Sequence, residues 1–223
     1  TESGDNIWQS KTVQIVLFCT FLAPLGVPLV SPALPSIQSQ FGVTETSASL
    51  LVSSYFLVGI FLSPFIGILV DRVGRKKVLI ASLFVFSISG SIIYLLDDFS
   101  LILILRFIQG TSAAGLFITT VTLISDMFDG VKRNAVLGLN GAALSIGAVI
   151  FPIVGGILVS ISWNTPFLAY LLPLPLAVFA WRFLATPMED VAKQFEKSYL
   201  TKTLRMLARK EMVLPYASSV LTE

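Results

Sequence analysis

Apolar residues in this chain come in long unbroken runs, without the alternation of a half-buried strand or the one-sided stripe of a soluble helix. Six runs come near or exceed the roughly twenty residues a helix needs to cross a hydrocarbon core about 30 Å thick. They cover approximately 12–32, 47–70, 78–96, 100–125, 134–160 and 165–184. Continuous apolarity predicts helices and not barrel strands, because a spanning helix satisfies its own backbone while a barrel strand shows period-two polarity. The pattern predicts an all-α membrane protein with six spans.

The polar residues between the runs set an orientation. If the spans alternate in direction, Lys11, then Arg72, Arg75, Lys76 and Lys77, then Lys132 and Arg133, then the bases from Arg182 onward all fall on one side. The opposite connections, 33–46, 97–99 and 161–164, carry no Lys or Arg. Basic loops stay in the cytoplasm, so residues 1–11 and the tail after 184 are expected inside, in the plasma membrane of a prokaryote. The first run is too long for the apolar core of a secretory signal and is expected to remain as a span. In 185–212, Val191, Phe195 and Tyr199 recur every four residues among charges, which reads as an interfacial amphipathic helix or, alternatively, a solvated linker. A further apolar run opens at 213 and is cut at Glu223, and the chain starts at Thr1. The expectation is a fragment: a six-helix half (12–184), a linker (185–212) and the start of a seventh helix (213–223).

Composition agrees and narrows the chemistry. Hydrophobic residues make up 55% and charged residues 13%, about half the charge of a soluble domain, and the mean hydropathy is +0.86. Histidine is absent and Cys19 is the single cysteine, which leaves no Cys/His metal site, intrachain disulfide or histidine-based catalysis. With no nucleophile and base pair and no phosphate-cradling loop, an enzyme is not expected, nor is a cofactor or a nucleic-acid partner. Expected partners are the bilayer and a small-molecule substrate.

Five charges occupy the seven positions Asp71 to Lys77, between two spans. The series Gly67-Ile68-Leu69-Val70-Asp71-Arg72-Val73-Gly74-Arg75-Lys76 resembles the loop between the second and third helices of the major facilitator superfamily, although any tight cytoplasmic hairpin would also be basic and contain glycine. Physically, Gly67 would let a neighbouring helix approach, and Gly74 would permit a tight reversal. The resemblance implies a six-helix bundle of two inverted three-helix repeats and a cytoplasmic latch that breaks in alternating access. Asp126, at the inner end of the fourth span, is the candidate partner of Arg75.

Arg106 is the one base well inside a span. An arginine there costs about 2.5–3.5 kcal/mol to insert, so it faces a cavity or a partner, or else snorkels outward. Arg106-Phe107-Ile108-Gln109-Gly110 resembles the superfamily's fourth-helix motif, whose arginine is linked to proton coupling and substrate contact. No Asp or Glu lies at mid-depth in the six runs. In the fifth span, Gly138, Gly147 and Phe151-Pro152-Ile153-Val154-Gly155-Gly156 resemble the antiporter motif of drug:proton antiporters, with Phe151 where the pattern has glycine. Helical spacing puts Gly138, Gly141, Ala142, Ser145, Pro152 and Gly156 on one face, a groove for a close-packed helix. Tyr55, Arg106, Gln109 and Asn140 are the polar groups available to a midplane site, or to helix-to-helix hydrogen bonds.

The resemblance implies a proton-driven exporter of small, mostly lipophilic compounds, completed by a second six-helix half. The rival readings are a metabolite, sugar or organic-anion porter on the same fold, favoured by the unpaired Arg106, and a non-transporting membrane sensor or assembly protein.

Overall fold

The computed structural model describes residues 11–184, all within one compact unit. The expected linker 185–212, the seventh-helix start 213–223 and residues 1–10 lie outside the described residues. Among the described residues the elements are all helical: α1 Lys11–Leu22, α2 Leu34–Phe41, α3 Glu45–Val73, α4 Arg75–Ile92, α5 Phe99–Met127, α6 Gly130–Val159 and α7 Pro173–Phe183. Five stretches are long and apolar enough to cross a membrane: Glu45–Val73, Arg75–Leu95, Phe99–Met127, Gly130–Val159 and Thr165–Phe183. These carry the second to sixth expected spans.

The first span departs from expectation. Its α-helix stops at Leu22, and 3₁₀ turns at Ala23–Leu25 and Ser31–Ala33 carry the chain to α2. Pro24, Pro28 and Pro32 explain the break, since each lacks an N–H and its ring collides with the carbonyl four residues back. Val30 N–H bonds to Val27 O at 3.0 Å, so the carbonyl of Gly26 loses its α-helical donor. The sixth span is likewise 3₁₀ over Thr165–Leu171 before α7 begins at Pro173.

Elsewhere caps, more than apolarity, set the helix ends. Thr44 accepts from Ser47 N at 3.2 Å to start α3, and Asp98 accepts from Ser100 N at 2.7 Å to start α5. Between α3 and α4 the only non-helical residue is Gly74, whose φ of 101° is open to glycine and strained for a residue with a side chain.

α5 is the centre of one side of the bundle, packing along both α3 and α4, while α1 packs mainly on α6 and also meets α5 and α7. α3 and α4 meet each other far less than either meets α5. Buried side chains join the helices into one large core that includes Val16, Leu25, Leu83, Phe86, Phe167 and Tyr170. A small separate cluster of Ile66, Val70 and Val78 lies near the α3–α4 turn. Phe56, Ile60, Phe61 and Phe65 of α3, with Val149, Ile153 and Ile157 of α6, remain exposed. Such rows fit a lipid environment or a further helical layer, not water.

Candidate functional site

The charged loop folds into a three-residue cluster. Asp71 lies in the last turn of α3, Arg75 is the first residue of α4, and Asp126 lies one residue before the end of α5. Arg75 Nε donates to Asp126 Oδ2 at 2.8 Å, and its Nη2 lies 3.5 Å from Asp71 Oδ1. The two acids occupy helix C-termini, where the backbone dipole disfavours a negative charge, and Arg75 occupies an N-terminus, where it disfavours a positive one. Pairing offsets these penalties together. The Arg75 side chain is 24% exposed and those of Asp71 and Asp126 are 49% and 40% exposed, so screening keeps the pairs to about 0–1 kcal/mol each in this state. Arg72, Lys76 and Lys77 form no ion pair among the described residues. Gly67, expected to admit a neighbouring helix, has no atom within 4 Å of where a side chain would begin. Within the described residues that expectation fails, because α5 packs beside a different face of α3.

A second cluster lies deep in the bundle. Arg106 is 1% exposed, so it does not snorkel. Its Nη1 donates to Gly26 O at 2.7 Å, to Gln109 Oε1 at 2.8 Å and to Tyr170 Oη at 3.1 Å. Tyr170 in turn donates to Leu25 O at 2.6 Å or Gly26 O at 3.0 Å. The guanidinium carbon stands 5.3 Å from the ring centre of Phe167 and 5.5 Å from that of Tyr170, within cation–π range. Arg106 therefore takes the Gly26 carbonyl, freed in the broken first span, in place of a carboxylate. The compensation is incomplete: Nε and Nη2 are buried without a hydrogen-bond partner.

The rest of the motif builds the shell around this arginine. Gln109 Nε2 donates to Phe86 O of α4 at 3.3 Å, which aims its amide oxygen at Arg106. A side chain on Gly110 would begin 2.2 Å from the backbone oxygen of Tyr55, so that glycine sets the close crossing of α5 on α3. Tyr55 is buried, with its hydroxyl over Gly26. Gln109, Tyr55 and Arg106 thus belong to one cluster. Asn140 belongs to another contact: Thr20 Oγ1 donates to Asn140 Oδ1 at 2.5 Å, joining α1 to α6.

The glycine motif of α6 divides between two faces. Side chains on Gly147 and Gly155 would begin 2.4 Å from Phe21 O and 2.0 Å from Leu29 O, so these two seat the first span. Gly138, Gly141 and Gly156 have nothing within 4 Å. Among the described residues the close contacts are therefore made by the Gly147–Phe151–Gly155 face and the expected face is open, while Pro152 is accommodated without breaking the helix. Phe151, the departure from the antiporter pattern, is buried and stacks 5.2 Å from Phe21.

Sequence reasoning missed Gly26, Phe167 and Tyr170. The signal for Gly26 was its place in a segment with prolines at 24, 28 and 32, where the regular helical pairing of main-chain donors and carbonyls cannot be kept up. Tyr170 was one of few hydroxyls in the sixth run.

Comparison with known proteins places this geometry in context. The family model of the Major Facilitator Superfamily matches residues 16–221. The quinolone resistance protein NorA of Staphylococcus aureus is 30% identical over 158 residues, covering 71% of this chain and 41% of NorA. Multidrug resistance protein 2 of Bacillus subtilis is 32% identical over 163 residues, covering 73% of this chain and 41% of that protein. The chain thus matches about two fifths of the length of these curated relatives. The human organic anion transporter MFSD10 (TETRAN) superposes with a TM-score of 0.65 at 20% identity, covering 78% of this chain and 47% of that one, a likeness of fold.

Proposed function

The chain belongs to the major facilitator superfamily, a family of multi-pass membrane transporters and not of enzymes, and from that premise we propose that it supplies one six-helix half of a proton-coupled exporter of small, mostly lipophilic compounds. The second half completes a cavity at the midplane, and alternating access moves the solute across. The names of the two bacterial relatives, for quinolone and for multidrug resistance, support drug export and a prokaryotic cell membrane. Loop charge supports a cytoplasmic N-terminus.

The observation that carries the reading is Arg106, a permanent cation held at depth by neutral partners, with two donor nitrogens unused and no carboxylate in reach among the described residues. A buried cation of this kind is expensive and marks function. A proton-carrying carboxylate from the second half, or the solute itself, changes its energy on arrival or release, and that is how one site can link a proton to a solute. The proton gradient is then the energy source. Arg75 with Asp71 and Asp126 forms the latch at the cytoplasmic end. Its pairs are weak while exposed and strengthen when closure excludes water.

Arg106 also favours one rival, a porter of organic anions. Vesicles containing the complete transporter and energised by a pH gradient separate the two. Export of lipophilic dyes, with no uptake or exchange of small carboxylates, supports the proposal. Carboxylate transport without dye export contradicts it.

A further inference from the structure

A groove of about 380 Å³ runs along α5 between α3 and α4. At 3.6 residues per turn, its floor of Phe107, Ile108, Thr111 and Gly115 is the face of α5 turned away from Arg106, so it is separate from the site above. Leu69, Val73, Val85, Phe107 and Ile108 line it and are exposed. Two of its three hydroxyls are turned back to their own helix, Thr111 Oγ1 donating to Phe107 O at 3.2 Å and Ser112 Oγ to Gln109 O at 2.7 Å, while the third belongs to Ser82, packed against Gly115. Lys77 is the one charged residue in the lining.

The groove's length and polarity identify its occupant. From Lys77 to Val85, α4 advances about 12 Å at 1.5 Å per residue, close to the roughly 15 Å half-thickness of a hydrocarbon core. It is therefore one leaflet deep, with a cation at the membrane edge. Beside that cation, Arg72 and Lys76 are also without ion pairs among the described residues, whereas the nearby acids Asp71 and Asp126 are both occupied by Arg75. Hydrocarbon along the walls and positive charge at one end match an amphiphile with an anionic head.

We propose that this groove holds an acyl chain of an anionic phospholipid from the adjacent leaflet, with its phosphate at Lys77. A chain seated there fills the gap between α3 and α4, which have little direct contact, and so braces the helices that carry the charged loop. The lipid site does not depend on which solute is transported.

Native mass spectrometry of the complete transporter, titrated with phosphatidylglycerol or phosphatidylcholine of the same chains, tests the site. Phosphatidylglycerol is expected to bind more tightly, and Lys77→Gln to weaken it about fivefold, the effect of one basic residue near an anionic head. Lys77→Arg should retain binding, and Ala81→Trp, which fills the groove, should remove it even though Lys77 is kept. Lys132→Gln, a cation at the same end of the bundle but off the groove, should change nothing. Equal weakening by Lys132→Gln and Lys77→Gln would show only diffuse surface attraction and overturn the site. So would phosphatidylglycerol binding that survives both Lys77→Gln and Ala81→Trp, or no retained lipid at all, as when the second half covers the groove.

Discussion

Arg106 and Gly26 meet at 2.7 Å although eighty residues separate them, and the carbonyl that receives the guanidinium is free because prolines interrupt the first span. A cation in α5 and a break in the first span are therefore one device. Each would be costly alone, the arginine for want of an acceptor and the carbonyl for want of a donor.

Tyr170 is the second donor to that break. Tyr170→Phe keeps the ring against Phe86 and Arg106 but leaves Leu25 O without its bond and takes one of three acceptors from Arg106 Nη1. The expected loss is about 1–2 kcal/mol, the scale of a hydrogen bond between membrane helices. Thermal unfolding in detergent measures it, and an unchanged transition would mean that the bond adds nothing.

Asp126 should matter more to the latch than Asp71, because it makes the 2.8 Å contact while Asp71 stands at 3.5 Å. Asp126→Asn in the complete transporter is expected to lower turnover more than Asp71→Asn, with solute affinity kept in both, since the latch biases conformations and touches no solute. Exchanging the charges, Arg75→Asp with Asp126→Arg, should restore part of the rate by rebuilding the pair. Turnover that is indifferent to all three variants rules out the latch.

Glycines in similar motifs should behave differently. Gly110→Ala and Gly155→Ala drive a methyl into backbone oxygens of Tyr55 and Leu29, and are expected to cost about 1–3 kcal/mol or more. Gly67→Ala has open space and should leave the stability of this half unchanged. Detergent melting curves of the set check the contrast, and equal losses at all three positions would contradict the assigned packing.

Orientation is checked by labelling. Cys19 is fully buried and gives little background. A cysteine at Ser39 or Thr44 should react with an impermeant maleimide from outside, and one at Lys132 only after permeabilisation. The reverse pattern would invert the cytoplasmic side.

Much of this fold was legible because a bilayer allows few solutions. Long apolar runs become helices, so the second to sixth spans fall within a few residues of the pattern; Thr44, Asp98 and Gly74 cap or turn the chain at three of the ends, and α6 starts four residues early at Gly130. The pairing of Arg75 with Asp126 was legible too, since both charges stand at the same membrane edge. Depth and facing were not. Apolarity cannot tell which side of an apolar helix is packed, so the face of Gly147 and Gly155 that seats the first span was not picked out, while that of Gly138 and Gly156 is open among the described residues. Nor does a sequence display main-chain acceptors: the partner of Arg106 is the carbonyl of Gly26, left without its α-helical donor because Val30 N–H turns to Val27 O in the broken first span.

The most direct test of the account is gradient-driven dye transport by Arg106 variants of the complete transporter in vesicles, with insertion and melting temperature measured alongside. Arg106→Lys keeps the charge and one donor for Gly26 O but loses the planar fork. The account predicts that Arg106→Lys inserts and folds yet no longer responds to the pH gradient, and that Arg106→Ala is equally uncoupled. Gradient-driven export by Arg106→Ala at near the unmodified rate would make Arg106 a structural anchor for the first span and would contradict its role in coupling.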